Sequence, residues 1–392
     1  MRVAIATGEY HLGGETFINR HIEHLFGGDT VVVCGRFRGD NPYGKPYFVR
    51  RDGLSGRDIM VAPWWLLRNR MRHGTSRLPF GEAKEALIRF LRDERVDVIL
   101  AEFGTQALAL APLANALGIP IFTYFRGTDA SKAIRTERMR SAYRKMMPRL
   151  TGVFSVSQFL LDNLAKHGIS HPDSMVIPSG VDIRRFAPQA KVPLSFLAVG
   201  RFVEKKAPMT TLRAFAQATA DLPLARLDFI GDGPLLEPTR ALAEELGIAA
   251  KLRFHGAQPH NTVRDRLMST QFFLQHSVTA RDGNTEGLPT AIQEAMACGC
   301  ITVSTRHAGI PEAIDEGETG FLVDEHDEAG FAKAIAAAIN VPDLSAMSAR
   351  ARQAAEQRFD NHVLLKLLER HIQDALLAAP PGLGGLPNQA SA

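Results

Sequence analysis

Short apolar runs recur along the first half of the chain at Arg2–Thr7, Thr30–Gly35, Val96–Phe103, Ile119–Phe125, Gly152–Ser157 and Met175–Pro178. They are rich in Val and Ile and nearly continuous in apolarity, as strands buried on both faces of a parallel sheet are. Between them, apolar residues fall at helical spacing in Glu15–Leu25, Glu82–Glu94, Thr105–Leu117, Ser131–Arg149 and Gln158–His167. Strands alternating with helices predict a doubly wound α/β domain, which binds ligands at the carboxyl ends of its strands. The second half repeats the plan, with strands expected at Leu194–Val199, Arg226–Ile230, Lys251–His255, Gln271–His276 and Cys300–Thr305. Turn residues punctuate Ile177–Pro188, so the boundary is placed near Gln189, giving domains 1–189 and 190–360. A helix over Asp360–Ala378 carries Val363, Leu364, Leu367, Leu368 and Ile372 on one face, and the Pro- and Gly-rich residues 379–392 are expected to be disordered.

The length of 392 residues suits two domains, each with its own core. Its three cysteines, Cys34, Cys298 and Cys300, have neither metal-ligand spacing nor a paired framework, as expected in a reducing cytosol. No run is long and apolar enough to span a bilayer, and Met1–Thr7 reads as a first strand rather than a leader, so a cytoplasmic location is expected. The formal charge of +4 conceals an asymmetry: residues 1–190 carry 27 Lys and Arg against 18 Asp and Glu, a balance of +9, and the remainder is acidic. A basic first half favours anionic partners. Both tryptophans lie there, in Trp64–His73 beside Arg68, Arg70 and Arg72, and a second basic stretch runs from Lys132 to Arg149. Aromatics beside arginine suit lipid headgroups, so this half is expected to dock on the inner face of a membrane. No nucleic-acid reading module is recognisable.

Candidate chemistry centres on Glu286-Gly287-Leu288-Pro289-Thr290, which leads into a short helix ending near Gly299. Pro289 suits the first helical position and Gly299 the left-handed residue after the last turn. The free N–H groups of Gly287 to Thr290, at the positive end of the helix dipole, would form an anion site for a diphosphate. Glu294 lies roughly 7.5 Å further along the axis at ~1.5 Å per residue, about the distance from a diphosphate to the hydroxyls of an attached ribose. A strand opening into Gly200-Arg201-Phe202-Val203-Glu204-Lys205-Lys206 places a fork and point charges where they would hold phosphate. Gly13-Gly14 before the first helix offers open amides, and no dinucleotide fingerprint follows the first strand.

Two glutamates with seven residues between them, in the setting E-G-x-P-x-x-x-x-E-A-x-A-x-G, resemble the donor-site signature of the retaining glycosyltransferases of family 4, which have the GT-B fold. Ser277–Gly283, Ile301–Thr305, Gly309-Ile310-Pro311-Glu312 and Gly320–Val323 continue the pattern, and the Glu15-Thr16-Phe17-Ile18 stretch is similar to bacterial members that build exopolysaccharide. The resemblance implies two Rossmann-like doubly wound domains facing across a cleft, with a last helix over 361–378 crossing back to the first domain. The first domain would bind the acceptor and the second a nucleotide-diphosphate sugar. By the same resemblance Arg201 and Lys206 take the diphosphate, with Lys205 a lesser candidate, and backbone at Gly256 and Ala257 takes the nucleobase edge. Glu286, Asp129, Arg126 and the amide of Gly14 would place the sugar. Arg126 stands where the family usually has a histidine, in H-G-x-D, which leaves donor choice open.

The function expected is transfer of a sugar to a hydroxyl of a glycan, a lipid-linked glycan or a small molecule, in cell-surface polysaccharide synthesis. The resemblance implies attack from the leaving-group side, with Glu286 as a covalent nucleophile the alternative, and no metal or other cofactor is expected. Alternatives are a catalytically silent sugar-nucleotide-binding partner protein, which Arg126 motivates, and a sugar phosphorylase or epimerase on the same fold.

Overall fold

A computed structural model describes residues 1–39, 41–50 and 52–378. The expected disordered tail, 379–392, lies outside the described residues. The chain divides into two compact units. The first runs from Met1 to Val156 and from Leu160 to Ile177, and takes in the C-terminal helix from Leu365. The second comprises Ser157–Phe159 and Pro178–Leu364.

The first unit contains a seven-stranded sheet. Its strands are β1 (Val3–Glu9), β2 (Thr30–Arg36), β3 (Tyr47–Val49), β4 (Val98–Glu102), β5 (Ile121–Phe125), β6 (Gly152–Ser155) and β7 (Ser174–Val176), in the order β3-β2-β1-β4-β5-β6-β7. All pairings are parallel, and the central strands are buried along their length, which explains their continuous apolarity. The second unit carries β8 (Val192–Val199), β9 (Arg226–Ile230), β10 (Leu252–Phe254), β11 (Thr270–Gln275), β12 (Ile301–Thr305) and β13 (Gly320–Val323), again parallel, ordered β10-β9-β8-β11-β12-β13. Phe196, Phe215, Phe272 and Phe331 fill the core between this sheet and its helices. Strand order reverses between β1 and β4 in one sheet and between β8 and β11 in the other, and the crevice at such a point is where open α/β sheets bind ligands.

The apolar pattern leaves β3 and β13 unread: each is a short edge strand, of three and four residues, and β3 is also half-exposed. The helix predicted over Ser131–Arg149 is broken. Thr136 caps a helix over Glu137–Met146, with tight turns at Lys132–Arg135 and Met147–Arg149, the last containing Pro148. An 18-residue helix, Gly56–His73, also lies in the first unit, where the sequence suggested only an aromatic and basic stretch. The C-terminal helix spans Asn361–Ala378. Within the first unit its His371 Nε2 lies 2.8 Å from Asp173 Oδ1, and Glu369 Oε1 accepts the N–H of Phe26 at 2.5 Å. No described helix is long and apolar enough to cross a membrane.

Candidate active site

In the second unit the candidate chemistry gathers at the carboxyl ends of β8 and β11. After β8 the chain turns through Gly200, and Gly231, at the end of β9, packs so closely that a Cβ there would run into the Gly200 carbonyl. The tight turn Glu204–Lys206 follows and aims both lysines inward. Lys205 Nζ lies 3.3 Å from Glu286 Oε2, and Lys206 Nζ lies 3.2 Å from Glu286 Oε1. All three side chains are largely buried. Burial works to raise the Glu286 carboxyl, but Lys206 and Lys205 outweigh it and hold the group down to about 2. Burial lowers Lys206 in turn, and Glu286 opposes that shift. Glu286 Oε1 is buried with Lys206 Nζ as its one polar contact among the described residues, and a carboxylate oxygen can accept a second donor such as a hydroxyl. Lys205, the lesser candidate by sequence, is as closely engaged as Lys206.

The helix entered at Glu286 spans Thr290–Ala297, with Pro289 as its cap in extended conformation (φ −60°, ψ 126°). Pro289 therefore stands one place before the first helical position expected for it, because its ψ turns the chain in from the preceding loop. Gly299 ends the helix at φ +70°, as expected. Among the described residues no acceptor meets the N–H groups of Gly287, Leu288 and Thr290. The carbonyls of this entry are tied down: Gly287 O accepts from Gly309 N–H at 2.9 Å, and Leu288 O from Gln293 Nε2 at 3.3 Å. The entry is thus rigid on its acceptor side and open on its donor side, as an anion site requires. Glu294 is buried within the helix, where Oε1 lies 2.8 Å from His260 Nε2. Gly256 accepts the Gly231 N–H at 2.8 Å, and Ala257 beside it is exposed. Arg201 is exposed at the end of β8.

Sequence reasoning missed His307. Its Nε2 accepts the Glu286 N–H at 3.0 Å, so its proton sits on Nδ1, 2.6 Å from Glu325 Oε1. Glu325 also accepts the Thr279 N–H at 2.7 Å. The chain His307–Glu325–Thr279 fixes the backbone that carries Glu286. A histidine two residues before Gly309-Ile310-Pro311 gave no signal by spacing.

In the first unit, Gly14 is exposed in the loop between β1 and the helix Thr16–His24, with open space around it. Glu102 ends β4 and Arg126 follows β5. Arg126 Nε and Nη2 lie 2.8 and 2.7 Å from Glu102 Oε2, while His21 Nδ1 lies 2.6 Å from Glu102 Oε1. The guanidinium stacks between Tyr124 and Phe17, 3.9 and 4.1 Å from their ring centres. Burial works to raise the Glu102 carboxyl, but Arg126 and His21 hold it below the usual range. Both Asp129 oxygens are engaged by backbone. Oδ2 accepts from Gly104 at 2.9 Å, and Oδ1 from Arg126 and Gly127 at 3.1 Å. Arg126 and Asp129 are thus side chains of a tightly wired loop. Glu15, next to Gly14, is raised to about 7 by burial and by the charge of Glu102. Among the described residues no cluster of three or more His, Cys, Asp or Glu could hold a metal ion.

Three buried histidines give a pH dependence of known sign. Burial lowers His21, His276 and His307 from their ordinary 6.5, His276 to about 4. Between those values the unfolded chain binds protons that the folded chain refuses, so the stability they contribute is complete above 6.5 and drains away as pH falls. The melting temperature is expected to drop steadily from pH 6.5 towards 4, as differential scanning calorimetry would show. A flat profile over that window would contradict the burial of these rings as neutral groups.

Two parallel sheets, each reversing its strand order beside glycine-bearing loops, with lysines and a bare helix entry at one reversal, are the parts of a GT-B fold with a site suited to phosphate. Residues 13–185 match the family description "Glycosyltransferase Family 4", and residues 182–358 match "Glycosyl transferases group 1". The chain is 30% identical over 359 residues to the glycosyltransferase WcaL of Escherichia coli (strain K12), assigned to colanic acid biosynthesis. That alignment covers 88% of this chain and 87% of WcaL. It is also 25% identical to the amylovoran biosynthesis glycosyltransferase AmsK of Erwinia amylovora, over 94% of this chain and all of AmsK. The chain belongs to glycosyltransferase family 4. Its fold is shared with Anabaena Alr3699/HepE, solved in complex with UDP, at a TM-score of 0.76 and 15% identity over 95% of this chain and 100% of that one.

Proposed function

We propose that this glycosyltransferase moves a sugar from a nucleotide-diphosphate donor to a hydroxyl of a glycan or lipid-linked glycan. The relatives named for colanic acid and amylovoran synthesis support a role in cell-surface polysaccharide assembly. A basic first unit supports placing the reaction at the inner, anionic face of a membrane. In this reading the second unit holds the donor and the first receives the acceptor. The N–H groups of Gly287, Leu288 and Thr290 take the diphosphate together with Arg201 and Lys206. Glu294 takes the ribose, in exchange for His260, and backbone at Gly256 and Ala257 lies along the base. Glu286 accepts from a sugar hydroxyl, and the Gly14 amide offers a further donor. Arg126 and Asp129 serve by shaping their loop.

The observation that carries the reading is the meeting of two lysines, a carboxylate held ionised, and a helix entry whose amides lack acceptors. As the bond from the anomeric carbon to the diphosphate breaks, negative charge grows on the departing oxygens, and fixed positive groups stabilise it without reorganising. The acceptor oxygen bonds to the anomeric carbon from the same side, and its proton passes to the departing phosphate, so configuration is retained. Those fixed charges do the work a divalent ion would otherwise do, so turnover is expected to persist in chelator.

A thermal-shift screen of nucleotide sugars tests the donor half. One donor should raise the melting temperature, the native state gaining about 2.7 kcal/mol of stability at a hundred times Kd. Release of free nucleoside diphosphate on adding acceptor tests the transfer. A protein that no nucleotide sugar stabilises would overturn the reading.

A further inference from the structure

The helix Gly56–His73 turns its apolar residues outward. It starts with a capping box in which Ser55 Oγ accepts the Asp58 N–H and Asp58 accepts the Ser55 N–H. It buries two polar residues, Asp58 and Asn69, against its own unit. Met60, Trp64, Leu67 and Met71, spaced by four, three and four, form one stripe on the opposite side, exposed by 76, 57, 57 and 68%. An exposed apolar stripe about 17 Å long at ~1.5 Å per residue marks an interaction surface. Basic side chains line it: Arg57, Arg70 and Arg72 are exposed, and the Arg68 guanidinium lies over Trp64 and Trp65, 5.6 and 5.0 Å from their ring centres. The helix's sole acid, Asp58, is buried and also accepts the Glu82 N–H. At the far end, Arg149 Nη1 reaches His73 Nδ1 at 3.1 Å, so the two basic stretches of the sequence adjoin.

We infer that this helix is an interfacial anchor. It lies flat on an anionic lipid bilayer with Met60, Trp64, Leu67 and Met71 at the boundary of headgroups and acyl chains and its arginines on lipid phosphates. The charge pattern selects the occupant. A second copy docking through the same face would bring the same arginines together with no exposed acid on the helix to offset them, because a two-fold contact pairs a patch with itself. A lipid surface offers both the apolar layer and the phosphates. The inference deepens the proposed function and rests on it for the purpose of docking, which is to reach a lipid-linked acceptor; the docking itself needs no donor.

The test is flotation of the full chain with phosphatidylcholine vesicles, with and without phosphatidylglycerol, with tryptophan emission read in parallel. Expected are binding and a blue shift only with phosphatidylglycerol, weakened by salt. Arg68→Gln and Arg72→Gln should each weaken binding by about fivefold. Met60→Glu with Leu67→Glu should abolish it. These positions are exposed, so folding should survive, and a melting curve with nucleoside diphosphate checks both the fold and the donor site. No flotation while nucleoside diphosphate still raises the melting temperature would overturn the anchor alone. Flotation indifferent to Met60→Glu/Leu67→Glu would do the same, as would a dimer in sedimentation that those substitutions dissolve. Flotation without nucleotide stabilisation would instead sink the donor reading and leave the anchor standing.

Discussion

Replacing Arg126 by alanine is expected to cost about 3–5 kcal/mol of stability, because Glu102 would be left buried with its main counter-charge gone. Its side chain is 0% exposed and that of Arg126 is 4%, so solvent screens little of the loss. For a unit of this size the melting temperature should fall on the order of 10 °C. His21 offers Glu102 a hydrogen bond but no charge while its ring stays neutral, and burial lowers its pKa. Replacing both partners, Arg126→Met with Glu102→Gln, removes both buried charges and should recover most of the loss. Calorimetry of the three proteins checks the cycle. An Arg126→Ala protein melting within a degree of the parent would mean the pair is not buried as described.

The second large effect concerns donor binding. Lys206→Ala should weaken the nucleoside diphosphate by about 2–5 kcal/mol, at least ~30-fold in Kd. It also unbalances Glu286, whose depressed carboxyl depends on both lysines. In the parent, the stability contributed by Glu286 is complete above its unfolded value of 4.5 and is lost as pH falls towards about 2. With one lysine gone that contribution should shrink, so the variant is also expected to be less stable at neutral pH. Glu294→Ala should weaken ribose-containing ligands while leaving inorganic diphosphate unaffected, since its carboxylate lies inside the helix, past the entry amides. Isothermal titration with nucleoside diphosphate and with inorganic diphosphate separates the two. Unchanged affinity in both variants would remove the basis of the proposed site.

Much of the fold was legible because its central strands are buried on both faces, which writes continuous apolar runs into the sequence. The edge strands β3 and β13 and the helix Gly56–His73 were not. In that helix the stripe of Met60, Trp64, Leu67 and Met71 faces outward while Asp58 and Asn69 face inward, so its periodicity lacks the meaning it has in a core helix. The charged signature around Glu286 was visible through its spacing and its proline and glycine punctuation. Three of its attachments were not. His307 and Glu325 reach the site from distant loops and His260 from the first turn of the helix His260–Ser269, and single histidines and glutamates carry no periodic signal. Arg126 was read as a group reaching for sugar because its place in the sequence suggested that. What it does in the fold depends on Glu102, twenty-four residues away and invisible as its partner until β4 and β5 lie side by side.

That pairing has a consequence for how the loop after β5 can vary. Glu102 and Arg126 form a buried ion pair, so neither can change alone without stranding a charge. A lineage exchanging arginine for histidine at position 126 would have to change position 102 in the same step or pass through a crippled intermediate. The two sites should therefore be inherited as a unit, and grafting either residue singly into a relative should fail where grafting both succeeds.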